Sequence, residues 1–436
     1  VAHHDRGTIK CRAVSTLGCL AVAIGSLSCG GASDAAVAWD GAVRDSAGVE
    51  IVENSGTPLW REGEDWTFTE VVRVGTPEGE PEYEFGRIGG MVVLSDRRIV
   101  VADQLAQHLR FFSPDGVYER TVGRRGQGPG EFGGAALIPR LGPGDTVLVF
   151  DRANQRVHVI APDGTWVESF STLPQGGYRL GLFLDAMPPG RLMTYDFPLR
   201  QSDGTPTHTT DILLELDLHG TVLDTMARLP TWLVDLAPGE SAPFYTEAVD
   251  VALCEGGLAI GHNYQYRSVW YGAGGVVRRI VSLPSERPPL TDEDRSVMIG
   301  RYDQLMRANN VPAARAAQVR ANIHFTETYP HYTQFVCGPA GTLLVQRVRP
   351  LSALREEERS RLRTDLQRPP GGLEWDAFDR EGRYLGVAQL PGTEWVAIVP
   401  KPRFVQDRAT GSWYMYAIWA DEQDVQYVVG WRMDGL

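Results

Sequence analysis

The chain has 436 residues, 43% of them hydrophobic and 22% charged, with a formal net charge of -13. That balance suits a globular chain able to bury a sizeable core. It argues against a nucleic-acid-binding surface, which needs a basic face.

The first segment, "HHDRGTIKCR", carries more cations than acids, and an apolar run of small residues follows from Ala13 to Ser28. A membrane-spanning helix needs about 20 apolar residues, so the run reads as a secretory signal. With "SCGGASD" directly after it, the segment resembles a bacterial lipoprotein signal. The resemblance implies a signal peptide over residues 1–28, lipidation of Cys29, a flexible tether over 29–48 and membrane contact through the lipid alone. Plain secretion is the alternative.

Next, "GRRGQGPGEF" (Gly123 to Phe132) sets glycines beside two arginines, as a phosphate cradle does. A cradle also needs a helix after the loop, so that its first amides face the anion. Here "GGAALIPRLGPGDTVLVFD" follows, with two prolines and no helical period. The stretch instead belongs to an internal repeat. "VRVGTPEGEPEYEFGRI" shares its frame, "VVADQLAQHLRFFSPDG" matches "LVFDRANQRVHVIAPDG", and Gly116 and Gly164 stand 48 residues apart, as do Gly75 and Gly123. A step of that size with short alternating strands indicates propeller blades.

Two markers carry the period along the chain. Outer-strand endings recur as "VVRVG", "ERTVG", "VESFS", "MARLP", "IVSLP" and "VAQLP", and Gly-terminated turns precede them as "SPDG", "APDG", "DLHG", "GAGG" and "DREG". Six endings with five turns mean that one blade is split, its outer strand supplied from the N-terminus, which closes the ring and removes free edges. The reading is an all-β, six-bladed beta-propeller of four-stranded antiparallel blades over residues 49–436, with a helical insert in the fifth blade. Each inner strand opens near an aromatic: Phe85, Phe132, Tyr178, Tyr245, Tyr332 and Trp395. These rings are expected to wedge between neighbouring sheets, a collar at the funnel mouth being the other use.

The frame "VG…GPGEF…VVAD…FFSPDG" resembles the NHL-type repeats of six-bladed propellers, and the chain resembles bacterial propeller lipoproteins. That implies the fold and an envelope location. It implies no reaction, since the fold serves binding modules, lyases and esterase-like enzymes alike. Two segments depart from the repeat, at about 285–328 and 350–370. In the first, Thr291 with Asp294 marks a helix start and Val297, Met298, Tyr302, Leu305 and Met306 share one helical face. Such helices form a lid over one face or cap the ring.

Loops meeting at the funnel mouth offer Arg124, Arg125, Tyr178, Arg179, Tyr245, His262, Tyr264, Tyr266, His331, Tyr332 and Trp395, a set suited to an anionic or aromatic ligand. No nucleophile elbow or acid–base pair stands out, no metal-ligand spacing occurs, and no cofactor is implied. Asp103, Asp151 and Asp196 recur at one blade position and read as turn anchors. Cys254 and Cys337 are expected as two buried thiols rather than one bridge. Function therefore reads as an envelope-anchored, monomeric binding or interaction scaffold for a peptide, glycan or envelope protein. A hydrolase or lyase under the blade-five insert is the alternative.

Overall fold

Strands Ile99–Asp103 and Val147–Asp151 are buried along their whole length, whereas Tyr118–Val122 and Trp166–Ser171 are largely exposed. Continuous apolar runs such as "VVA" and "VLVF" belong to strands covered on both faces; the exposed strands form a rim. The structure is a computed structural model describing residues 38–134, 137–172, 185–187, 191–196, 210–217, 219–230, 243–255, 257–362, 368–394 and 401–436.

Six antiparallel four-stranded units result. From inner to outer strand, blade one is Ile88–Val93, Ile99–Asp103, His108–Phe112 and Tyr118–Val122, and blade two is Leu137–Leu141, Val147–Asp151, Arg156–Ile160 and Trp166–Ser171. Blade three is Asp185–Met187, Arg191–Asp196, Thr210–Leu216 and Val222–Pro230, and blade four is Val249–Cys254, Gly257–His262, Arg267–Tyr271 and Val277–Ser282. Blade five is Tyr332–Cys337, Leu343–Val348, Gly371–Phe378 and Tyr384–Gln389. Blade six is Arg403–Gln406, Trp413–Ala420 and Gln426–Asp434, completed by Thr67–Val74 from the N-terminal side. Pairing of Val428 with Val74 and of Asp434 with Thr67 closes the ring as the split repeat predicts.

The turn glycines have two reasons to be glycine. Gly116, Gly164, Gly220 and Gly382 adopt φ between 82° and 87°, where a side chain is strained. Each also docks on the outer strand of the preceding blade: a Cβ at Gly164 would lie 2.9 Å from Val122, and one at Gly382 2.5 Å from Val281. Blade six lacks this turn because its outer strand arrives from elsewhere in the chain.

The segment expected as a tether up to residue 48 contains a strand. Ala42–Ser46 pairs with Val49–Glu53, and Val49–Glu53 runs parallel to the outer strand of blade four, widening that sheet to six strands. Asn54 then clamps the joint of blades four and five. Its side chain donates to the carbonyls of Ser282 and Gly382 and accepts from the Tyr384 amide at 2.7 Å and from Trp39 Nε1 at 3.0 Å. Leu59 and Trp60 continue along the edge of blade five. The N-terminal segment thus covers the edges of two blades before completing a third.

Both repeat-breaking segments are partly helical. Helix α1 (Asp292–Ala308) and helix α2 (Ala313–Ala321) lie between blades four and five, and helix α3 (Glu356–Arg361) lies between the second and third strands of blade five. In an antiparallel meander, the connection into a blade and the turn after its second strand emerge at the same end, so both inserts rise from one face. Helix α1 starts with the expected capping box: Thr291 Oγ1 accepts the Asp294 amide, and the Asp294 carboxylate accepts the Thr291 amide at 2.8 Å. Asp294 also accepts the Ser352 amide at 2.7 Å, and the Tyr329 hydroxyl accepts the Leu351 amide at 3.0 Å, which ties the two inserts together. Their apolar sides share a core containing Phe244, Tyr245, Met298, Tyr329, Leu351 and Leu354.

The expectation of two free thiols is overturned. Cys254 and Cys337 form a disulfide with Cα atoms 5.3 Å apart. Each ends the inner strand of its blade, so a sequence separation of 83 becomes a contact between neighbouring strands.

Candidate functional site

The glycine loop at 123–132 fills itself. Gly128 N donates to the Glu131 carboxylate at 2.9 Å and Arg124 Nε donates to it at 2.8 Å, while the Phe132 and Gly126 amides close the hairpin. Glu131 occupies the place an anion would take. The Gly128 amide first, then Arg124, holds its carboxyl below the usual glutamate range.

Of the other residues expected at the mouth, Tyr178, Arg179 and Trp395 lie outside the described residues. Arg124 is largely exposed on its loop, paired with Glu131, and Arg125 forms a backbone bridge with Phe132. Two aromatics are withdrawn from ligand contact. Tyr245 is 1% exposed inside the insert core, with its ring 5.2 Å from that of Tyr329, and Tyr266 donates its hydroxyl to Asp376. Phe132, fully buried among Val92, Leu94, Leu137 and Ile160, is a wedge between blades one and two.

Three expected residues do gather at the blade four/five junction on the insert-bearing face. His262 Nδ1 lies 3.0 Å from Glu247 Oε1, and the His331 amide donates to the Asn263 carbonyl at 2.7 Å. Tyr264 donates to the Tyr245 carbonyl at 2.9 Å, with Arg287 stacked 4.3 Å above its ring. Burial first, then Arg287, holds the His331 imidazole below its ordinary range. The junction stands on Asn263, which accepts the Ala248 amide at 2.8 Å, much as Asp103 accepts the amides of Gly86, Leu105 and Ala106 and Asp151 those of Gly133 and Asn154. Asp103 and Asp151 are turn anchors, as expected.

The main polar cluster was not foreseen. Asp250, on the inner strand of blade four, accepts Lys401 Nζ at 3.2 Å, accepts the Phe335 amide and lies 3.4 Å from Arg368 Nη1. Lys401 also donates to the Phe335 carbonyl at 3.2 Å, while Arg368 donates to the carbonyls of Thr333 at 2.9 Å and Val249 at 3.1 Å. Arg140, on the inner strand of blade two, is close enough to disfavour the Lys401 charge. Groups from blades two, four, five and six meet only at the axis of a ring. Lys401 keeps 36% of its side chain accessible although desolvation is the leading influence on it, so it is partly enclosed but not sealed off. Burial, Arg368 and Arg140 outweigh the attraction of Asp250 and hold its ammonium below the lysine range.

Tyr332 belongs to the same place. It is fully buried, Asp250, Arg368 and Glu247 act on its hydroxyl, and that oxygen has no hydrogen-bond partner among the described residues. Gly261 makes room for it, since a Cβ there would collide with the hydroxyl and with the Phe335 ring.

Ser169, His158 and Asp151 have the residue types of a nucleophilic triad, but not its proton arrangement. Arg156 Nε donates to His158 Nε2 at 3.1 Å, nearer than Asp151 at 3.5 Å. The ring proton therefore sits on Nδ1 and points to Ser169 Oγ at 3.0 Å, so the imidazole cannot take the serine proton. His158 and Asp151 are fully buried and tie the strands of blade two. Among the described residues, no group of three or more His, Cys, Asp or Glu is disposed to hold a metal, and no helix is long and apolar enough to cross a membrane.

Comparison with known proteins agrees with the fold. Residues 77–136 match the DUF5128 family, described as a 6-bladed beta-propeller. Among solved structures, a DUF4221-family member from Bacteroides vulgatus is similar with a TM-score of 0.48 at 10% identity, covering 85% of this chain and 99% of that one. A gluconolactonase from Xanthomonas campestris gives 0.38 at 12% identity over 77% and 82% of the two chains. Virginiamycin B lyase from Staphylococcus aureus gives 0.36 at 8% over 85% and 99%. These are likenesses of fold and bring no activity to this chain. No curated protein matches the sequence.

Proposed function

We propose that this chain is an exported, lipid-anchored propeller that binds a ligand or partner on the face bearing the two inserts. The observation that carries the reading is the shared insert core. It fixes a wall beside the junction of His262, Tyr264 and His331, and a preorganised wall loses little freedom when a ligand arrives. Export is supported by the apolar run before Cys29 and by the Cys254–Cys337 disulfide, which persists in oxidising compartments. For a hydrolase or lyase, His158 is unavailable because Arg156 and Ser169 engage both its nitrogens, whereas His262, with Glu247 on Nδ1, is the histidine such a reading would use as its base.

The test is a melting-temperature screen of the purified chain against sugars, organic acids, amino acids and short peptides. A compound that raises the melting temperature, with the shift lost in His262→Ala and His331→Ala variants that stay folded, is the expected result. If every shift survives both substitutions, binding at this junction is wrong.

A further inference from the structure

We propose that Arg287, seated on the ring of Tyr264, is a carboxylate clamp on the insert-bearing face and takes the acid group of a small organic ligand or of a peptide C-terminus. The inference names the ligand class for the binding reading above and rests on it.

Elsewhere in the insert region and in blade five, arginines meet carboxylates: Arg347 pairs with Asp376, Arg349 with Glu358 and Arg383 with Asp379. Arg287 pairs with no carboxylate among the described residues, and the groups beside it are the ring and hydroxyl of Tyr264 and the His331 imidazole. Its side chain is partly buried, yet none of its nitrogens is among the buried polar atoms that lack a partner. Its donors therefore open to solvent, and a ligand reaches them from the surface of the junction.

The floor under this cation is fixed. Tyr245 has φ of 64°, a left-handed backbone that a bulky residue rarely adopts, and the insert core holds it there. In that conformation its carbonyl accepts the Tyr264 hydroxyl at 2.9 Å, so the ring below Arg287 is held at both ends. Strained residues over-determined by packing gather at ligand clamps. The cation is held from its own side as well. Pro288 and Pro289 follow Arg287 and restrict its backbone, and the segment is pinned by the Tyr329 amide on the Pro288 carbonyl at 2.8 Å and the Leu290 amide on the Glu327 carbonyl at 3.0 Å. Cation and floor are both set before a ligand arrives, which lowers the cost of binding.

The charges around Arg287 select the anion. Burial and Arg287 itself hold the His331 imidazole below its ordinary range, so it adds no charge at neutral pH. Glu247, which also acts on Tyr264, is paired with His262. The corner thus offers one full positive charge with an acid close by. A planar monoanion suits it, because the two oxygens of a carboxylate match two parallel N–H donors of a guanidinium. A phosphate dianion would meet Glu247 with only one cation to offset it.

The experiment is titration calorimetry of the purified chain at low ionic strength with acetate, benzoate and N-acetylglycine, each compared with its neutral amide, and with inorganic phosphate as the competing chemistry. At least one acid should bind wild type more tightly than its amide and than phosphate. Arg287→Ala should weaken that acid by about tenfold or more. Arg287→Lys keeps the charge without the planar fork and should recover only part of the loss, and Tyr264→Phe, which frees the ring from the Tyr245 carbonyl, should weaken binding several-fold. Circular dichroism checks that the variants are folded, and Arg287→Lys keeps the test valid if Arg287→Ala is not. The clamp is overturned by an absence of acid binding, by amides that bind as tightly as their acids, by phosphate that binds more tightly than every acid, or by acid binding that is unchanged in the Arg287 variants. The binding reading stands or falls separately: it survives if a neutral compound of the wider screen depends on His262 or His331, and falls if no compound does.

Discussion

Lys401 Nζ lies 3.2 Å from Asp250 Oδ1, joining the start of blade six to the inner strand of blade four across the ring. Burial pushes the Asp250 carboxyl up, but Lys401, Arg368 and the amides of Phe335 and Val251 prevail and hold it below the ordinary aspartate range. Because its folded pKa is depressed, its contribution to stability is complete above the unfolded value of about 4 and is lost as pH falls through the folded one. Asp250→Asn should cost about 3–5 kcal/mol near neutral pH by leaving two cations without their counter-charge. It should also flatten the acid side of the melting-temperature profile. An acid limb as steep as that of wild type would show that Asp250 is not the group titrating.

Glu358 gives the insert wall its own acid limit. It is nearly buried and receives Arg349 through two nitrogens, at 2.7 and 2.8 Å, and the Arg355 amide at 2.8 Å. Burial pushes its carboxyl up, yet Arg349 and Arg355 bring it down from 4.5 to about 2. The stabilisation is therefore full above pH 4.5 and fades toward about pH 2. Glu358→Gln is expected to lose about 2–3 kcal/mol locally. Hydrogen exchange should accelerate in residues 351–361 while the blade strands stay protected; uniform exchange across the chain would contradict this local role.

What could be read in the sequence is what repeats. Gly116 and Gly164 announce turns, Asp103 and Asp151 anchor the chain after a second strand, and Thr291 with Asp294 caps a helix, because each acts through backbone groups a few residues away. The axial cluster could not be read this way. Asp250 lies on an inner strand and Arg368 and Lys401 on connections of unequal length, and ring closure alone brings them together. Val49–Glu53 reads as a strand, but nothing local tells it to run parallel to blade four rather than join blade six. The disulfide did leave a usable sign: both cysteines end inner strands of neighbouring blades.

Docking turns should tolerate a methyl group far less than free turns. Gly144 has φ of 64° and nothing within 4 Å of the place a Cβ would take, so Gly144→Ala should cost only the conformational penalty of about 1 kcal/mol. Gly382 has φ of 84° and faces Val281 at 2.5 Å, so Gly382→Ala must also part blades four and five. An additional loss of about 1–3 kcal/mol is expected from the forced contact. Urea unfolding of the two variants measures the difference, and equal midpoints would mean that the turn does not dock tightly.

Asn54 should matter more than its place outside the repeats suggests. It is 5% exposed and serves four partners: Trp39, Tyr384, Ser282 and Gly382. Asn54→Ala leaves the Tyr384 amide and the Trp39 indole without their acceptor and the Gly382 carbonyl without this donor, while the Ser282 carbonyl keeps the residue-54 backbone amide, for an expected loss of about 2–4 kcal/mol. Asn54→Asp discriminates between its halves. A carboxylate keeps the acceptor for Tyr384 and Trp39 but sets negative charge against the carbonyls of Ser282 and Gly382, so it should rescue little at neutral pH and more as acid restores a donor. Urea midpoints at two pH values read this directly. If Asp rescues fully at neutral pH, the carbonyl contacts are dispensable and the clamp works through the acceptor that Tyr384 and Trp39 share.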